Sequence, residues 1–138
     1  MQQRIEVPNS ADTDRIASQL IHATELIEKA TGQTPSGNLD DLELIQRTLP
    51  TVSPTEQYSQ QSLGLVFGRL FLRNNDDFDW WMVEDEWGRD PAIRYKQTSL
   101  ILFPLTMISK RLEEGKSVNM KSMYQGLLRK VQQIASRL

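Results

Sequence analysis

Between residues 80 and 90 the chain reads WWMVEDEWGRD, three tryptophans set among four acids and one arginine. Glu84 and Glu86 lie two apart, so on an extended strand they share a face while Asp85 turns to the other. A same-face carboxylate pair is the geometry of acid–base catalysis, or of an oxygen-ligated divalent cation. It is also the pattern of a charged strand end held by salt bridges, with Arg69, Arg89 and Arg94 as ion partners. That last reading is preferred, since the solvated end of a strand carries the same pattern. Trp80 and Trp81 are adjacent and must point to opposite faces of a strand. At least one belongs in the core, since an indole buries on the order of 200 Å². The other, with Val83, is assigned to a pocket wall or an interface. Trp87 either lies flat with Arg89 stacked on it or stands out as an anchor, the role Trp takes at binding hot spots. The candidate contact set is therefore Trp81, Glu84, Asp85, Glu86, Trp87, Arg89 and Arg94.

Other chemistries are largely excluded. There is no cysteine, which removes disulfides, thiolate catalysis and cysteine–zinc sites. His22 is the single histidine and reads as a surface or boundary residue. A Ser-His-Asp set would have to pass through it, and no Gly-x-Ser-x-Gly turn supports one. The chain has neither Gly-x-Gly-x-x-Gly nor a P-loop. The run 74–79 lacks the glycine and distal glutamate of a calcium loop. No catalytic residue, metal set or cofactor is assigned.

The elements that must position these residues follow from pattern. Asn9 or Ser10 caps a helix over 10–31 with Ile16, Leu20, Ala23 and Ile27 on one face and Gly32 at its end. Asn38 caps a short helix, LDDLELIQRTL, with Leu39, Leu42 and Ile45 inward. Ser53, Pro54 and Glu56 form a start signal for a third helix reaching Arg73. Its stripe is Leu63, Val66, Phe67, Leu70 and Phe71. Gly64 and Gly68, four apart on one helix face, predict a second backbone passing close by. Alternation predicts a strand over Asp79–Glu86, a turn at 87–90, a strand over Pro91–Tyr95 and a third over Ser99–Phe103. Pro104 opens a helix over 104–114, stopped by Gly115. A last helix starts near Asn119 and reaches about Arg137, with Met120, Met123, Leu127, Val131 and Ile134 inward. The fold class is α+β: three N-terminal helices, a three-stranded antiparallel meander and two C-terminal helices.

At 138 residues, with 38% hydrophobic and 25% charged positions, the chain suits one folded domain over 1–138. The N-terminus lacks a signal-peptide pattern, and no apolar run approaches the roughly 20 residues that span a bilayer. The expectation is a cytoplasmic protein with no membrane partner. The net charge of −2 hides an imbalance. Residues 1–90 hold 16 acids against 7 bases, and residues 91–138 hold 2 acids against 9 bases. The simple expectation is that the two parts neutralise each other in the fold. A basic face for nucleic acid is the weaker alternative, because no aromatics interleave the bases.

Three blocks, LGLVFGRLF, DWWMVEDEWGRDPAIRY and ILFPLTMISKR, together resemble the bacterial domain-of-unknown-function family 3806 over about residues 55–115. The resemblance implies a small bacterial α+β domain and brings no activity or catalytic residues with it. Small domains of this style also resemble immunity proteins of bacterial toxin systems, by analogy. The function expected is a non-catalytic protein-interaction module, of immunity or regulatory type, with a protein partner and with homodimerisation through a free sheet face as a variant. The alternatives are a ligand-binding or carboxylate-based enzymatic domain around Glu84 and Glu86, and weak nucleic-acid binding through the C-terminal helices.

Overall fold

The computed structural model describes residues 2–138. The chain runs β1 (Arg4–Glu6), α1 (Ser10–Thr31), α2 (Asp41–Thr48), a 3-10 turn (Leu49–Thr51), α3 (Gln57–Asn74), β2 (Phe78–Asp85), β3 (Gly88–Tyr95), β4 (Ile101–Leu102), α4 (Pro104–Glu113) and α5 (Met120–Ala135). Among the described residues it is α+β, with five α-helices and one antiparallel sheet in the order β1-β2-β3-β4. The sheet has four strands rather than three, because the N-terminal residues pair with β2 before the helices begin: Arg4 opposite Glu84, Ile5 opposite Val83. A three-residue strand has too few positions for alternation to reveal it. β4 keeps only Ile101 and Leu102 of the expected run. The turn before it is fixed instead by the Thr98 hydroxyl, which donates to the Tyr95 carbonyl at 2.7 Å, and by the Tyr95 amide, which donates to the Leu100 carbonyl.

α1 starts as its sequence demands. Asn9 and Asp12 form a reciprocal capping box, each side chain accepting the other's backbone N–H at 2.9 Å. α3 starts later than expected. The Ser53 hydroxyl is shared with Thr55 in a local turn, Glu56 caps nothing, and the helix begins at Gln57. α2 likewise begins after a turn in which Asn38 accepts the Asp40 amide. That turn leaves Leu39 43% exposed rather than inward. Ile134, on the last turn of α5, also stands out of the core.

The α3 stripe of Leu63, Val66, Phe67, Leu70 and Phe71 is wholly buried. Phe71 packs edge-on against Phe67, Phe78 and, more tilted, Tyr124, which ties α3 to β2 and α5. The close backbone approach at the glycines is realised. A Cβ on Gly64 would sit 2.3 Å from the Pro104 carbonyl oxygen, and one on Gly68 would sit 2.7 Å from the Pro104 ring. The start of α4 is thus pressed directly onto α3. No helix among the described residues is long and apolar enough to cross a membrane.

Candidate functional site

The register of β2 against β3 sorts the hairpin into two faces. Phe78–Tyr95, Trp80–Ile93, Met82–Pro91 and Glu84–Arg89 are opposed pairs on one face. Phe78 and Ile93 lie in the core, and Trp80 and Tyr95 pack against it. Glu84 and Arg89 are therefore the last rung of the core face, where the sheet meets the start of α1. The opposite face carries Trp81–Ala92 and Val83–Asp90.

At that rung a charge network closes the hairpin. Arg89 places its guanidinium fork on Asp12, Nε donating to Oδ1 at 3.1 Å and Nη2 to Oδ2 at 2.7 Å. Its Nη1 donates to Glu6 Oε1 at 2.9 Å and lies 3.7 Å from Glu84 Oε1. Glu84 is also paired with Arg4 of β1. Arg15, one turn along α1, donates to the Arg89 carbonyl at 2.7 Å and to Asp90 at 3.2 Å. Asp12 thus caps α1 and binds the hairpin with the same carboxylate. The Arg89 hydrogen bonds hold that carboxyl below its ordinary range, against the opposing pull of burial. The same bonds hold the Arg89 guanidinium above its usual range. An acid fixed as the anion beside a guanidinium fixed as the cation has no proton to exchange near neutral pH.

The Glu84–Glu86 pair therefore does not form. Glu84 lies in the network, while Glu86 falls in the two-residue turn beyond the strand and points into solvent. The turn is Glu86–Trp87 rather than 87–90, and β3 begins at Gly88. Gly88 takes φ +141°, where a side chain would be strained although the space around it is open. Asp85 accepts the Trp87 amide at 2.8 Å and so shapes the turn. Arg89 is drawn back to Asp12 and is not stacked on Trp87. That leaves the Trp87 indole 88% exposed at the tip.

Arg94 makes no ion pair with the acids among the described residues. It covers Trp81, 4.6 Å from the ring centroid, while donating to the carbonyls of Thr98 and Gln97. Trp81 is half-buried under it. Arg69 sits elsewhere, within reach of Asp41 and Arg73, with burial lowering its guanidinium from the usual range. The structure thus gathers Glu84, Asp85, Glu86, Trp87 and Arg89 at one end of the hairpin and sets Trp81 and Arg94 on the outer face. Sequence reasoning missed Arg4, Glu6, Asp12 and Arg15. Asn9 was legible as one of two possible caps of α1, but nothing local joined Asp12 to a residue 77 positions away. His22 also has a partner not foreseen, Ser59 Oγ at 2.9 Å from Nε2; that hydroxyl also donates to Glu56.

No ion pair among the described residues joins the two oppositely charged parts of the chain. Among the described residues every salt bridge joins partners within 1–90, except Lys116–Glu114, which lies within 91–138.

The sequence model of a domain of unknown function, DUF3806, matches residues 41–124, more of the chain than the three motif blocks span. A protein from Bacteroides thetaiotaomicron VPI-5482, with a crystal structure at 1.50 Å resolution, superposes with a TM-score of 0.85 at 15% sequence identity. The superposition covers 93% of this chain and 48% of that one, so this chain spans about half the length of that protein. At such low identity the likeness establishes the fold. Among curated proteins, none matches this chain.

Proposed function

The chain belongs to the DUF3806 family, whose description carries no activity, and from the site itself we propose that it is a non-catalytic protein-interaction module that docks through the tip of its β2–β3 hairpin. One observation carries this reading: Trp87 is almost fully exposed on a turn whose base is locked. An exposed indole is a large apolar surface left in water, and Trp is the residue most enriched where binding energy concentrates. The Arg89 fork and the Arg4–Glu84 pair hold the strands that present it. A preorganised tip loses less conformational entropy on binding than a floppy one. Glu86 beside it makes no hydrogen bond or ion pair among the described residues, so its charge is available to a partner.

The complementary surface is an apolar slot for the indole with a basic rim for Glu86 and Asp85. Affinity capture from lysate of the source cells, comparing the wild type with Trp87→Ala/Glu86→Lys, tests this reading. The expected outcome is a stoichiometric protein partner retained by the wild type and lost by the variant, with the melting temperature unchanged. The same partner bound by both, or no partner for either, overturns it.

A further inference from the structure

A second site lies at the other end of the chain, among residues that take no part in the hairpin or its ion network. α4 packs on the body of the protein through Leu105, Ile108 and Ser109, all buried. Helical spacing then puts Met107, Lys110, Arg111 and Glu114 together on the side facing away from that contact. These residues, with Met123 and Leu127 one turn apart on α5, line a cavity of about 490 Å³. β4 supplies Ile101 and Leu102 to the same wall. A hollow of about 290 Å³ adjoins it, sharing Arg111 and Met123 and adding Ser117 and Ser122.

The cavity is divided by chemistry. Its floor is aliphatic and thioether: Ile101, Leu102, Met107, Met123 and Leu127. Its rim is cationic. Lys116 is neutralised by Glu114 at 2.8 Å, but the side chains of Lys110 and Arg111 have no ion partner among the described residues. Cations at the last turn of α4 suit the negative end of its helix dipole. The dipole does not account for Met107, Leu127, Ile101 and Leu102 beside them, which are partly buried, three of them against the core, and leave their remaining apolar surface open to the cavity. A volume in the range of small-molecule sites, an apolar floor and a few convergent charges are the features of a ligand pocket.

We infer that this cavity binds a small amphipathic anion, an aliphatic chain ending in a carboxylate. The chain lies along the methionine and leucine floor, whose thioethers adapt to an irregular apolar partner. The carboxylate meets Arg111, whose planar fork matches two oxygens, with Lys110 adding a second charge. The Ser117 and Ser122 hydroxyls stand in the adjoining hollow as further donors.

Isothermal titration of the whole protein with decanoate tests this, with acetate and decyltrimethylammonium as controls. Decanoate is expected to bind one per chain, while neither control binds. Lys110→Gln/Arg111→Gln should weaken decanoate about tenfold or more, the scale of losing charged hydrogen bonds, at an unchanged melting temperature. Leu127→Trp, which fills the floor, should weaken it as well. Three results overturn the proposal: no binding of decanoate, equal binding of the cationic chain, or full binding by the glutamine variant. Binding to phosphatidylglycerol vesicles without binding of free decanoate also overturns it, in favour of a membrane surface at this end. The hairpin variant Trp87→Ala should bind decanoate like the wild type, so this test and the capture experiment stand or fall separately.

Discussion

The hairpin and α4 are both attached to the helical body, but by different physics. The base of the hairpin is held by charge: Arg89 bridges Asp12, Glu6 and Glu84, and Arg15 clasps the strand from α1. The start of α4 is held by shape, with Pro104 pressed into the space that Gly64 and Gly68 leave free. The acidic part of the chain pairs Arg4, Arg15 and Arg89 with its own acids, while Lys110 and Arg111 of the basic part have no ion partner among the described residues. Where charges are paired, the acids that could have done chemistry become fasteners. Where close fit and apolar burial hold the element, as at α4, Lys110 and Arg111 stay available for something outside the chain.

The contrast can be broken by mutation. The largest loss of stability is expected from Gly64→Ala, whose new methyl would meet a backbone oxygen that cannot swing aside. Overpacking of this kind costs about 1–3 kcal/mol, and chemical denaturation should show that loss undiminished by salt. Arg89→Met should cause a smaller fall in melting temperature that shrinks as salt rises, because the network is partly open to solvent. It should also alter the acid limb. The Asp12 carboxyl titrates below its ordinary value of 3.8 in the folded chain, so its contribution is complete above about pH 4 and fades as pH falls through the lower folded value. In Arg89→Met that part of the pH dependence should flatten. Asn9→Ala removes half of the capping box and should cost about 1 kcal/mol, measurable by urea titration. Trp87→Ala comes last, within about 0.5 kcal/mol of the wild type, since its side chain supports nothing.

Much of this was legible in the sequence because it is local. The α1 cap, the buried stripe of α3 and the glycine pair that receives Pro104 each follow from spacing within a few residues. β1 was not, because three residues carry no period and its partner lies near residue 83. The fate of Ser53 was not, because its hydroxyl had two local uses and the turn won over the helix. The hairpin was half legible. Its tryptophans and acids marked the right segment, yet the role of Arg89 depended on Asp12, far away along the chain. A residue pattern shows which groups are present, whereas their availability depends on long-range partners.

The most direct test of the central claim places a photo-reactive amino acid at position 86, beside an intact Trp87, in the protein expressed in its source cells. A second protein carries it at position 21, where Ile21 is exposed on α1. A discrete cross-linked adduct to another protein is expected from position 86 and not from position 21. No adduct at 86, or the same adducts from both positions, would contradict a docking role for the hairpin tip.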